Sequence, residues 1–290
     1  DKNLRIAMDW LYDTFADAPV LGSLIDPSKS DAAKVVDWPV LQDALNRSLS
    51  DEQPEAQREL GIVAQGLSKA AQLLSSKYHY VMTNVPYLAR GKQSEALKDF
   101  CERQYPAGKN DLATVFLDRC LQFCHAGGST NVVLPQNWLF LGSYKKFREK
   151  LLRNDTWNLV ARLGPKGFET PMWDFNVQLI TLSRGNTASF SLGNESENAH
   201  QLRGLDVSEP RTARAKAEHL LTTEIKSVSQ AGQLENPDAR VAFEDEIRGN
   251  LLNQIARSHH GLVCGDRPRM CFSFWEIESL DDVWIPYCGT

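Results

Sequence analysis

Residues 78–93, YHYVMTNVPYLARGKQ, run from a short apolar segment into Asn84, Val85, Pro86 and Tyr87. An asparagine side chain carries both an amide acceptor and an amide donor. Pro86 lacks an N–H and fixes its own φ, and it restricts Val85 to extended geometry. The Val85 carbonyl is thereby held in one direction, and Tyr87 presents a flat aromatic face. Two oxygen acceptors beside a stacking platform suit a planar ring with an exocyclic amine. The plain alternative is a turn that closes a core strand. Arg90 and Lys92 follow at once, two cations in a Gly-containing loop.

Other reactive side chains carry less. Cys120, Cys124 and His125 share the CLQFCH segment, with the two thiols on one helical face. No second pair has zinc-ligand spacing, so no metal site is predicted. The six cysteines, Cys101, Cys120, Cys124, Cys264, Cys271 and Cys288, read as free thiols of a reducing compartment. Lys145, Lys146, Arg148 and Lys150 form either a phosphate-binding face or a solvated helix surface. His259 and His260 suit a helix C-terminus, where partly charged imidazoles meet the dipole.

A site at Asn84 needs a strand to deliver it. YHYVMTN supplies one, and the texture around it alternates. Helical apolar spacing covers 4–18, 31–49 and 53–77 upstream. After the strand come helices 93–105 and 110–126, a second strand in GGSTNVVLP and a helix over 137–153. WNLVARLG and NVQLITLSRG read as the third and fourth strands. Strands alternating with helices imply a parallel, three-layer α/β sheet. Only a short loop separates the last two strands, which predicts an antiparallel pair at the sheet edge. Ligands of open α/β sheets sit beyond the strands' carboxyl ends, where Asn84 to Tyr87 fall. From residue 186 the pattern turns polar and reads as a helical linker over 191–258, including a helix at 239–259. A new domain opens in HHGLVCGDRPRMCFSFWEI.

At these residues the chain resembles the adenine-N6 DNA methyltransferases. The segment Asn84 to Tyr87 is similar to their motif IV, usually Asn-Pro-Pro-Tyr, with Val85 as the departure. The following residues match that family in order and spacing, above all the methyltransferases of single-chain restriction-modification enzymes and BREX phage-defence systems. Pro135 to Trp138 matches a Pro-x-x-Trp strand-to-helix junction. Leu163, Gly164 and Phe168 match a later Leu-Gly…Phe element. The resemblance covers 78–185, and more thinly 259–278, where the target-recognition domain opens.

The resemblance implies the C-terminal half of a Rossmann-like class I methyltransferase sheet with added helices, then the start of a target-recognition domain. Its parts are a helical segment (1–77) packed on the methyltransferase domain, a catalytic half (78–190), a linker (191–258) and the recognition start (259–290). It also implies a reaction, in which a flipped adenine gives its amine hydrogens to the Asn84 side chain and the Val85 carbonyl. Tyr87 and Phe168 would stack on the base, and its nitrogen would take the methyl of S-adenosylmethionine. Double-stranded DNA would be held by Arg90, Lys92, Lys145, Lys146, Arg267 and Arg269. The cofactor's main site calls for a Gly-rich turn after a strand, and no Gly-x-Gly pattern follows one here. The expectation is that the remaining N-terminal methyltransferase half, or a partner subunit, supplies it. A non-catalytic, methyltransferase-like DNA-binding or scaffold subunit is the alternative.

Composition sets outer limits. The chain has 290 residues, 42% hydrophobic, with net charge −5. That balance argues against duplex binding by the surface as a whole, but leaves room for a local basic patch. No apolar run reaches the ~18 residues of a membrane span. The first residues, DKNLRIAMDW, lack a secretory layout and an initiator Met, so a cytoplasmic piece of a longer chain is expected.

Overall fold

The structure is a computed structural model that describes residues 2–29, 43, 46, 55–169, 175–185 and 200–243. The chain divides into two units, Asp1–Phe243 and Glu244–Thr290, and the described residues all lie in the first. The expected helix over 31–49 falls almost wholly outside them, as do Arg267, Arg269, the His259-His260 pair and the expected recognition domain.

The N-terminal part is helical: α1 (Lys2–Phe15), a single turn α2 (Ala18–Leu21) and α3 (Glu55–Ser75). The sheet then begins with β1 (Tyr78–Asn84), followed by α4 (Glu95–Gln104), α5 (Leu112–Phe123) and β2 (Cys124–Pro135). Next come α6 (Lys145–Asn154), β3 (Thr156–Gly164) and β4 (Val177–Ser183). The last elements are β5 (Gln201–Asp206), α7 (Ala213–Thr222) and β6 (Lys226–Ser229).

The six strands form one sheet in the order β1-β2-β4-β3-β5-β6. β1 and β2 are parallel, as are β3 and β5, while β4 runs antiparallel to both its neighbours. The fold class is the expected one, α/β, with a mixed sheet. The predicted β3–β4 antiparallel pair is present. Its predicted place at the sheet edge is not. β4 lies between β2 and β3, since it is apolar on both faces. Ile180 and Leu182 enter the main core, and Val177 and Leu179 join the cluster on the other face. A strand buried on both sides belongs inside a sheet.

Two further expectations change. The stretch 137–153 is not one helix, since short 3-10 turns at Asn137–Leu139 and Gly142–Tyr144 precede α6. Where a helical linker is expected, residues 200–243 add β5, α7 and β6 to the sheet, and 240–243 are not helical. Leu202 supplies the apolar anchor of β5, and the Phe243 ring lies where a Cβ of Gly204 would stand. The backbone N–H of Val241 bonds the Leu139 carbonyl at 3.2 Å, which fastens this segment to the core.

Two buried arginines join the parts. Arg119 of α5 donates to the carbonyls of Ser23, Ile25 and Leu74 and to Asp26 at 2.9 Å. The helical N-terminal part is thus bonded to the sheet domain through one guanidinium. Arg148 of α6 donates to the carbonyls of Trp138, Leu141, Asp238 and Ala239.

Candidate active site

β1 ends at Asn84, which is exposed at the carboxyl end of the sheet. The next residue turns inward. Val85 is buried in the main core, and its N–H makes a long, 3.5 Å bond to Val133 of β2. Pro86 is exposed, and Tyr87 is half-buried against both clusters at this end of the sheet. The predicted group is therefore assembled at one strand end, with the Val85 side chain as its anchor.

The loop behind Tyr87 is held by backbone and by Asp111. Asp111 caps α5 by accepting from Ala113 N at 2.9 Å, and it also accepts from Leu88 N at 3.3 Å. Leu88 O in turn accepts from Leu112 N and from the buried Gln93 side chain, each at 3.0 Å. An N-cap thus serves twice, since it satisfies a helix end and fixes the residue after Tyr87. Burial, and then the negative Asp111, push the Tyr87 phenol above its ordinary value. Tyr87 therefore stays a neutral donor, and its hydroxyl lies 3.2 Å from Asn84 Oδ1.

The aromatic beside Tyr87 is Phe175, with ring centroids 6.0 Å apart and planes at 58°. Phe175 immediately precedes Asn176 and β4, and Gly164 pairs with Val177 across the β3–β4 ladder. A Cβ on Gly167 would come within 2.7 Å of Val177, so the loop folds back onto the start of β4. Phe168 leaves this same loop 42% exposed, and Phe175 is 49% exposed. Sequence reasoning missed Phe175. The antiparallel hairpin was the available signal, because pairing β3 with β4 sets the residue before β4 beside the Leu163–Phe168 turn.

Of the predicted phosphate contacts, Arg90 and Lys92 lie on a 3-10 turn directly after Tyr87, with Lys92 exposed. Arg90 N bonds Asn110 O at 3.0 Å, and the Asn110 side chain bonds Ser143 O at 2.9 Å. This chain of bonds brings the start of α6, with exposed Lys145 and Lys146, beside the Arg90 loop. Lys145 is 3.8 Å from Asp238. Arg148 is fully buried on backbone carbonyls and Lys150 is paired with Asp118, so neither belongs to a free basic face. Trp138 is buried in the main core, as a packing residue.

The three described cysteines, Cys101, Cys120 and Cys124, are buried and unpaired in disulfides. Burial raises the Cys120 thiol to about 12, which leaves it protonated and inert. Among the described residues, no three His, Cys, Asp or Glu side chains converge, and no helix is long and apolar enough to cross a membrane.

Residues 28–168 match the model of the Eco57I restriction-modification methylase family. The chain is 34% identical over 105 residues to the adenine-specific methyltransferase PglX of Lacticaseibacillus casei (strain Zhang), which spans 36% of this chain and 8% of that protein. It is 32% identical over 156 residues to the adenine-specific methyltransferase BrxX of Escherichia coli O9:H4 (strain HS), covering 53% and 12%. The chain thus spans only about a tenth of the length of these relatives. Among solved structures, the type I restriction-modification methyltransferase subunit from Streptococcus thermophilus aligns with a TM-score of 0.42 and 15% identity, over 63% of this chain and 45% of that one. The resemblance read from motif IV and the residues after it is the one these matches return.

Proposed function

We propose that this chain is the target-base half of a DNA adenine-N6 methyltransferase acting in restriction-modification or phage defence. The observation that carries the reading is the group at the end of β1. It joins an exposed asparagine amide, a backbone carbonyl pinned by a buried Val85, and a half-buried tyrosine ring at one sheet end. The flipped base lies on a Tyr87 face, and Asn84 Oδ1 and the Val85 carbonyl accept its two amine hydrogens. This arrangement turns the nitrogen lone pair out of conjugation and toward the methyl donor. Unstacking the base costs about a few kcal/mol, and stacking on an aromatic returns roughly 1–3. The rest of the acceleration is positioning, with no covalent enzyme intermediate. Phe168 and Phe175 wall the base site, and Arg90, Lys92, Lys145 and Lys146 face the phosphates.

S-adenosylmethionine supplies an electrophilic methyl group when bound. Among the described residues no Gly-x-Gly turn follows a strand, and β1 is the first strand of the sheet, so the usual cradle for its nucleoside is not built here. The form of β1 supports the view that a separate segment supplies that site. Its edge is seven residues long, with no proline and no Lys, Arg, Asp or Glu. Tyr80 and Met82 are 54% and 73% exposed on the same face as Asn84. The opposite edge, β6, is four residues long and opens with a lysine, a protected edge. A strand added to β1 in the cofactor half, from the same protein or a partner subunit, would pair this edge, and the helices attached to that strand would cover the Tyr80–Met82 face.

The test is transfer of radiolabelled methyl from S-adenosylmethionine to duplex DNA by the intact protein, followed by nucleoside analysis. N6-methyladenosine as the labelled product supports the reading. Duplex binding without any transfer would leave the non-catalytic binding module in its place.

A further inference from the structure

We propose that Arg90 and Lys109 form a two-cation clamp for one DNA phosphodiester, and that Glu102 occupies this clamp in the free protein. The inference rests on the DNA-binding reading above and adds to it a residue and a competitor that the sequence did not single out.

Arg90 Nη2 meets Glu102 Oε2 at 2.8 Å, and Lys109 Nζ meets the other oxygen, Oε1. The two cations therefore approach one anion from separate sides, with one oxygen each. A phosphodiester offers the same arrangement, two non-bridging oxygens on one centre. The spacing of the cations is set by backbone. Arg90 N bonds the carbonyl of Asn110, the residue after Lys109, and Ala89 bridges Asp111. Arg90 keeps a further donor unspent, since its Nη1 is buried without a hydrogen-bond partner.

Glu102 is the removable member. It stands on the outer face of α4 and is more exposed than either cation. A hydrogen bond from Lys109, with the Lys109 and Arg90 charges, outweighs burial and holds its carboxyl below the ordinary range, so it stays an anion. Exposed ion pairs of this kind are weak, and a polyanion displaces them. The clamp is three residues from Tyr87, where the backbone of an extruded nucleotide would run.

The test is a double-mutant cycle on the intact protein, read as affinity for a labelled duplex at fixed salt. Glu102→Gln is expected to tighten binding by about threefold or more. Asp99→Asn, an equal charge change on an exposed position of the same helix, should change affinity less. In a Lys109→Met background the gain from Glu102→Gln should largely vanish. A Glu102→Gln gain no larger than that of Asp99→Asn, or one undiminished without Lys109, overturns the clamp. Absence of duplex binding by the wild type and all variants, even at low salt, overturns the DNA-binding reading itself.

Discussion

The Tyr87 hydroxyl donates to Asn84 Oδ1 across 3.2 Å. The proposed base platform and the proposed amine acceptor are thus in contact before any substrate arrives. The bond is long for an O–H···O pair, whose usual distance is about 2.7–2.8 Å, so it orients the amide without consuming it. The oxygen has a second lone pair for an adenine amine. Tyr87→Phe is therefore expected to lower kcat/KM by less than about tenfold. Tyr87→Ala, which removes the ring, should cost more, on the scale of the roughly 1–3 kcal/mol of one stacked base. Steady-state methylation of duplex DNA by the intact protein separates the two.

Phe175 touches Tyr87 from the side. A base stacked between two parallel rings needs two contacts of about 3.5 Å each, more than the 6.0 Å seen here. Phe175 therefore acts on Tyr87 as an edge support, and the base uses the face it leaves free. Phe175→Ala should weaken capture of the flipped base, seen as a smaller fluorescence rise from 2-aminopurine at the target position. Phe175→Leu should restore part of it. An unchanged signal in Phe175→Ala alongside a lost one in Phe168→Ala would assign the wall to Phe168 alone.

Val85 replaces the proline of the resembled motif, and its N–H makes only a long bond to Val133. Val85→Pro removes that bond and keeps a carbonyl in the same place. The expected result is near-wild-type transfer with a stability loss of about 1 kcal/mol, measured by urea unfolding. Val85→Asp would bury a charge in the main core and should prevent folding.

Arg119 and Asp26 form a buried pair that joins the helical part to the sheet. Arg119→Met removes the buried counter-ion of Asp26 and the donor to three carbonyls, and should cost about 3–5 kcal/mol. Burial raises the Asp26 carboxyl, but the Ser28 hydrogen bonds and the Arg119 and Lys29 charges outweigh it and leave it below its ordinary 3.8. A depressed folded pKa stabilises the fold above the ordinary value, and that contribution is lost as pH falls through the folded pKa. The stability gap between wild type and Asp26→Asn should therefore hold down to about pH 5, narrow from about pH 4, and close only below the depressed folded pKa. Urea melts across that range measure it.

The parts of this fold that were legible were those where one period dominates. YHYVMTN alternates and ends on punctuating residues, and the amphipathic run before it could only be a helix, so β1 and α3 are where pattern placed them. The placement of β4 was not legible, because a strand's neighbours depend on both its faces finding apolar partners, a tertiary matter. β5 and β6 were missed because their apolar anchors, Leu202 and Val228, are scattered among Gly, Arg, Lys and Ser. That Asn84 to Tyr87 stand at the carboxyl end of a strand was readable, because YHYVMTN runs directly into Pro86. Phe175, Asp111 and Lys109 were not, since each enters through a backbone pairing distant in sequence. Arg148 reads as a surface charge, and only the four carbonyls around it show that it is core.

The most direct test of the account is methyl transfer by the intact protein carrying Asn84→Ala, measured beside its affinity for the same duplex. The account predicts transfer lowered at least about a hundredfold, the scale of losing one preorganised polar contact at the reacting centre. Duplex affinity should stay within about threefold, because phosphate contacts supply most of it. Transfer at the wild-type rate would contradict the assignment of Asn84 and the reading built on it.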